Sequence, residues 1–132
     1  MSSVIDREKL LEVARSAAAS AYCPFSKFRV GAAVLAGGEV FSGANVENQS
    51  FGLTMCAERV AIFHAVTGGH QGIVALAVAC PDAPESAMVA TRMPCGACRQ
   101  VIAEFSNSNT VVIVDGVGDF RITDLLPHAF RL

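Results

Sequence analysis

The sequence has no run of lysine or arginine, and its 10 basic residues are outnumbered by 12 acidic ones. That argues against a nucleic acid or other polyanion as the main partner, because neutralising phosphates needs clustered positive charge. No uninterrupted apolar run approaches the length of a membrane span, so no membrane partner is expected. The opening residues Met1-Ser2-Ser3-Val4-Ile5-Asp6-Arg7 lack the apolar core of a secretory signal, and the chain reads as cytoplasmic. Internal repeats, low-complexity segments and linkers are also missing. A length of 132 residues then amounts to one domain, 1–132. A disulfide framework is not expected either, because the cysteines number 5, an odd count, in a chain expected in a reducing compartment.

What the sequence does have is a hydrophobic content of 52%, enough for a sizeable core, and two cysteine motifs. The first is Cys56-Ala57-Glu58-Arg59 and the second is Pro94-Cys95-Gly96-Ala97-Cys98-Arg99. Together they read C-x-E followed by P-C-x-x-C. Three thiolates can close three positions around a zinc ion and leave the fourth for water. Glu58 is then a candidate proton carrier for that water. A C-x-x-C pair alone also suits a thioredoxin-like redox site, but a redox pair needs neither a distant third cysteine nor a glutamate beside it. A zinc-stabilised binding module without turnover is the rival from another class, and Glu58 discriminates against it. A closed structural site would need a fourth ligand. Cys23 and Cys80 read as small buried hydrophobes. His64 lies roughly 12 Å from Cys56 along one helix, too far to share an ion. His70 and His128 fall in loops, and their positions in the sequence do not exclude them.

The pattern along the chain places these motifs. Leu10, Val13, Ala14, Ala17, Ala18 and Ala21 form one apolar stripe, which predicts a helix over 6–21 capped by Asp6. Strands follow over 28–35 and 40–45, joined by a hairpin turn at Gly37-Gly38. The polar stretch Asn45–Ser50 is either a binding loop or an ordinary turn. A helix over 55–67, a strand over 73–80, a loop from Pro81 to Pro94, a helix over 95–106 and a strand over 110–115 complete the order αββαβαβ. A short last strand is expected over 120–123. Helices between strands imply right-handed crossovers and a partly parallel sheet covered on its faces. Both cysteine motifs fall at helix N-termini, where two positive dipole ends favour thiolate. Arg59 is placed to donate to a ligand sulfur, the plain alternative being an arginine on the helix surface.

Five stretches carry a family resemblance: Phe28-Arg29-Val30-Gly31-Ala32-Ala33, Asn45-Val46-Glu47-Asn48, Cys56-Ala57-Glu58-Arg59, Pro94 to Gln100, and Leu125-Leu126-Pro127-His128-Ala129-Phe130. Through them the chain resembles, nearly end to end, the small homotetrameric cytidine deaminases of pyrimidine salvage. The resemblance implies an α/β fold, a three-layer αβα sandwich around a mixed five-stranded sheet. It implies one Zn²⁺ per subunit on Cys56, Cys95 and Cys98, and conversion of cytidine and 2′-deoxycytidine to uridine and 2′-deoxyuridine plus ammonia. Glu58 would shuttle protons while hydroxide attacks C4. Asn45 and Glu47 would grip the ribose, Ala57 would offer backbone groups to the base, and Phe28 would lie against the pyrimidine. Phe130 would come from a neighbouring subunit, so that active sites are shared within a homotetramer. The anionic Glu47 suits an uncharged nucleoside and would repel a phosphate.

The sequence departs from the family pattern at Phe51, where a tyrosine is common, so a hydroxyl contact near the sugar is not expected. The chain ends two residues past Phe130, which leaves no room for the silent second domain of longer dimeric deaminases. Two related activities remain as alternatives. A blasticidin-type or other modified-nucleoside deaminase would have the same zinc site. A polynucleotide deaminase would typically carry histidine at position 56 and need a basic groove.

Overall fold

The computed structural model describes residues 5–132; residues 1–4, part of the N-terminus read for a signal core, lie outside the described residues. Nine regular elements follow in order: α1 Arg7–Ala17, β1 Gly31–Ala36, β2 Glu39–Ala44, α2 Ala57–Thr67, β3 Ile73–Ala79, α3 Gly96–Glu104, β4 Val111–Val114, β5 Gly118–Arg121 and α4 Ile122–Leu125. The strands form one mixed sheet in the order β2-β1-β3-β4-β5. Only β3 and β4 pair in parallel; β1 runs antiparallel to both β2 and β3, and β5 runs antiparallel to β4.

Alternation along the strands sorts the core into two layers. Ala33, Leu35, Ala75, Ala77 and Ile113 face α1, where Leu10, Leu11 and Ala14 are buried. Ala32, Val34, Leu76, Val78 and Val112 face the other way, onto Ala57, Ala61 and Ile62 of α2 and Ile102 of α3. The fold is therefore the expected three-layer αβα sandwich, with β1 buried on both faces. Among the described residues no helix is long and apolar enough to cross a membrane.

The expected hairpin turn is present, with φ of +61° at Gly37 and +78° at Gly38. Both values lie in the left-handed region that a two-residue hairpin turn of this kind requires. Another glycine sets the height of a helix above the sheet. A Cβ at Gly43 would lie 2.5 Å from the Ala61 nitrogen and 3.0 Å from the Ala57 oxygen, both backbone atoms of α2. Gly43→Ala is therefore expected to lift α2 and to lower unfolding stability by about 1–3 kcal/mol, measured by denaturant titration.

Several boundaries differ from expectation, each for a local reason. The first helix stops at Ala17 and tightens into a 3₁₀ turn over Ala18–Ser20, although Asp6 caps its start by accepting from the Lys9 amide. β1 begins at Gly31 rather than Phe28, because the Asn45 side chain takes up the backbone before it. Asn45 Oδ1 accepts from the Val30 amide at 2.9 Å, and Nδ2 donates to the Phe28 carbonyl at 2.9 Å. Cys56 and Cys95 are not in first turns; both are N-caps with extended backbone. The last strand lies at 118–121, two residues early, and the chain then turns into α4, which the short apolar run did not signal. Cys23 is half-buried rather than buried, whereas Cys80 is buried as expected.

Candidate active site

Two helix starts meet at one place. The Sγ atoms of Cys56, at the cap of α2, and of Cys95 and Cys98, at the start of α3, all lie within 4.8 Å of one another. Cys56 and Cys95 are 3.8 Å apart. Two sulfurs on a tetrahedral zinc at the usual Zn–S length would be separated by about 3.8 Å, so the thiols present fit that ion. No fourth His, Cys, Asp or Glu joins them in a metal-binding group among the described residues. His70, left open by the sequence, is instead paired with Glu39 at 3.1 Å.

Local electrostatics favour thiolate at Cys56. The neighbouring Cys98 and Cys95 thiols and the Arg59 guanidinium hold Cys56 below an ordinary thiol. Cys98 is pushed up, chiefly by the neighbouring Cys56 sulfur and then by burial. Arg59 Nη2 donates to Cys56 Sγ at 3.4 Å. The same contact raises the affinity of the guanidinium for its proton. Arg59 is therefore no surface arginine: it is half-buried against sulfur, and its buried Nε has no protein partner. Cys95 Sγ also accepts from the Cys98 amide at 3.4 Å, so one thiol both faces the cluster and caps α3.

Glu58, in the first turn of α2, is 4% exposed. Burial pushes its carboxyl up to about 7. It opens onto a cavity of about 180 Å³ that also meets Cys56, Cys95, Ala57, Phe28 and Asn45. Five of the residues singled out in the sequence thus come together with Glu58 in one concavity.

Glu47 and Phe130 are placed differently. Glu47, expected to act with Asn45 on the ribose, borders the space next to the one that Asn45 lines. Glu47 lies in an adjoining cavity of about 400 Å³ with Phe25, Ser26, Phe51 and Thr54, and Thr54 borders both spaces. The Glu47 carboxylate accepts from the Phe25 amide at 3.0 Å, the Ser26 amide at 3.1 Å and the Ser26 hydroxyl, which holds it below the usual carboxylate range. The stretch from Asn45 to Glu47 is not a free loop. It is pinned between Tyr22 and Met55 by backbone hydrogen bonds on both sides. Phe130 is 69% exposed and borders neither cavity of its own chain.

Other residues of the site carry no signal in the sequence. Thr91, Arg92 and Met93 form a wall of the inner cavity, which Cys80 also lines. They come from the Pro81–Pro94 loop, whose start is clamped to the neighbour of Phe28. Asp82 accepts from the Arg29 amide at 2.8 Å and from the Arg29 guanidinium at 2.9 and 2.7 Å. The guanidinium pulls the Asp82 carboxyl down to about 2. Arg92 then ties the loop to itself through the Ala83 and Pro84 carbonyls.

The model of the cytidine and deoxycytidylate deaminase zinc-binding region matches residues 4–114. A cytidine deaminase of Sporosarcina psychrophila is 46% identical over 132 aligned residues, which cover 96% of this chain and 92% of that relative. The crystal structure of the cytidine deaminase from Mycobacterium tuberculosis superposes with a TM-score of 0.84 at 41% identity, covering 98% of this chain and 100% of that one. The cytidine deaminase from Burkholderia pseudomallei superposes with a TM-score of 0.85 at 39% identity, covering 96% and 100%. With matches of this strength running through nearly its whole length, the chain belongs to the family of zinc-binding cytidine and deoxycytidylate deaminases.

Proposed function

We propose that this chain is a zinc-dependent hydrolase, one catalytic domain over 1–132, that converts cytidine and 2′-deoxycytidine to uridine and 2′-deoxyuridine with release of ammonia. One observation carries the reading: a buried carboxylate, Glu58, stands at the wall of a cavity beside three thiols spaced for zinc. Cys56, Cys95 and Cys98 hold one zinc ion per subunit. When bound, zinc supplies the Lewis acidity that makes water a nucleophile at neutral pH.

The chain's own residues do the rest. Glu58 accepts a proton from the attacking water as its oxygen bonds to C4 of the cytosine ring, and passes that proton to N3. A second proton from the same oxygen travels through Glu58 to the amino group. The C4–N bond then breaks, ammonia leaves, and C4 keeps a carbonyl oxygen. Glu58 ends as it began. Arg59 draws charge from the Cys56 sulfur through its hydrogen bond of 3.4 Å, which keeps the thiolates from weakening the metal's pull on water. Phe28 lies against the base, and Ala57 offers its backbone to it. Asn45 spends one donor and one acceptor on the Phe28–Val30 backbone and keeps the others for the ribose. Glu47 serves the sugar from the outer cavity, where its charge disfavours a nucleoside phosphate.

The exposed Phe130 supports a shared site: its ring is free to enter the cavity of another copy, in a homotetramer. The setting is cytoplasmic pyrimidine salvage, with nucleosides as the substrate class. The test is the ultraviolet loss of cytidine and deoxycytidine by protein of measured zinc content. Cytidine monophosphate and blasticidin serve as comparison substrates. Turnover of both nucleosides, with the phosphate poorly used, is expected. Zinc-loaded protein that leaves both nucleosides unchanged overturns the reading.

A further inference from the structure

The C-terminal segment is not a loose tail. Leu125, Leu126 and Ala129 pack on the core, while Phe130, the next residue, stands out at 69% exposure. A left-handed turn at His128, φ +58°, precedes this change of direction. The polar contacts that hold the segment reach it from α3. Arg99 Nη1 donates to the Leu125 carbonyl at 2.9 Å, and Gln100 Nε2 donates to the Phe130 carbonyl at 3.2 Å. Arg131 returns a bond to the Ala103 carbonyl at 3.3 Å. Arg99 also donates Nε to the Pro94 carbonyl at 2.9 Å, the residue just before Cys95. One side chain therefore grips the approach to the thiol cluster and the segment that carries Phe130.

We propose that Arg99 and Gln100 are positioning residues that couple the thiol cluster of one copy to the Phe130 it lends to another. The inference rests on the reading above that Phe130 completes a neighbouring pocket. The physical route is short. An exposed ring adds to a partner's pocket only if its backbone is already ordered, because ordering it on demand costs affinity. α3 is 9 residues long, and its first turn is held at the Cys95 cap and at Cys98. With the cluster filled, that turn is fixed and Arg99 and Gln100 project from a rigid base. With the cluster empty, the turn frays, Arg99 loses its hold on Pro94, and residues 125–131 loosen with it.

The test uses the assembled, zinc-loaded protein, before and after a chelator, at a concentration where sedimentation shows no change of size. Hydrogen exchange across residues 125–131 is expected to quicken about tenfold on chelation. The chain contains 0 tryptophan residues, so Phe130→Trp gives a single fluorescent reporter, whose emission should shift to the red under the same treatment. Gln100→Ala should quicken the same exchange with zinc still bound and raise KM about fivefold, the worth of one hydrogen bond, with a smaller change in kcat. Gln100→Lys, which still donates to a carbonyl, should restore both. Exchange that stays unchanged after chelation and in Gln100→Ala overturns the coupling. A separate mixture distinguishes the underlying reading. Hybrids of Phe130→Ala and Glu58→Gln subunits should regain activity that neither parent shows, since each copy supplies what the other lacks. If exchange responds but hybrids gain nothing, service to a second copy is overturned and Phe130 acts within its own chain.

Discussion

Glu58→Gln is expected to lower turnover of cytidine by about 10³- to 10⁴-fold, the upper part of the range for loss of a positioned proton carrier, while zinc content and fold stay as they were. The size follows from what the substitution keeps and removes. Glutamine has nearly the same shape, and position 58 is 4% exposed in the first turn of α2, so the packing against the sheet survives. The three thiols are untouched. What disappears is a group able to take a proton from water and return it to nitrogen. An amide can hold the base by hydrogen bonds but cannot cycle a proton, so KM should move much less than kcat. The decisive comparison is kcat at matched zinc stoichiometry, with circular dichroism to confirm the fold. Activity within tenfold of the parent would show that the proton travels by another route and that Glu58 is merely a buried acid beside the metal.

The second large effect concerns the cluster itself. Cys98 is fully buried and sits in the first turn of α3, whereas Cys95 is exposed at the cap. Cys98→Ala is expected to abolish measurable turnover and to leave the purified protein without stoichiometric zinc, because two remaining thiols offer half of a tetrahedral set. It should also cost stability. An ion bound a thousandfold above its dissociation constant contributes about 4 kcal/mol, which for a domain of this size corresponds to a fall of roughly 10–15 °C in the unfolding midpoint. Chelation of the parent should reproduce that fall, and scanning calorimetry with and without added zinc measures both. A Cys98→Ala protein that retains full zinc and an unchanged midpoint would remove Cys98 from the ligand set.

The parts of this molecule that were legible beforehand are those set by one-dimensional rules. The C-x-E and P-C-x-x-C spacing named the thiols that the fold brings within 4.8 Å of one another. Paired glycines marked the hairpin, and the apolar stripe marked α1. What stayed hidden depends on contacts between distant segments. Asn45 looked like a binding residue alone, yet half of its hydrogen-bonding capacity replaces strand pairing at Phe28 and Val30 and moves the start of β1 to Gly31. Glu47 looked like its twin, but its carboxylate is turned onto the Phe25 and Ser26 amides while Asn45 turns onto the Phe28–Val30 backbone, so the two border different cavities. Thr91, Arg92 and Met93 have no periodicity to betray them. Their place in the wall comes from the Arg29–Asp82 clamp, whose partners are far apart in sequence.

The missing Cβ at Gly43 bears on how this protein can change across generations. With α2 seated directly on backbone there, an added methyl at position 43 meets main-chain atoms of Ala57 and Ala61, which cannot turn aside as a side chain would. Inheritable variety is thereby refused beneath α2, the helix that brings Ala57 and Glu58 to the cavity, and left to the cavity's other walls. The Pro81–Pro94 loop is anchored mainly by side chains, Asp82 on Arg29 and Arg92 on the Ala83 and Pro84 carbonyls, while Thr91 lines the cavity without belonging to either anchor. New appetites for altered nucleosides should accordingly arise at positions such as Thr91, with the seat of α2 passed on unaltered.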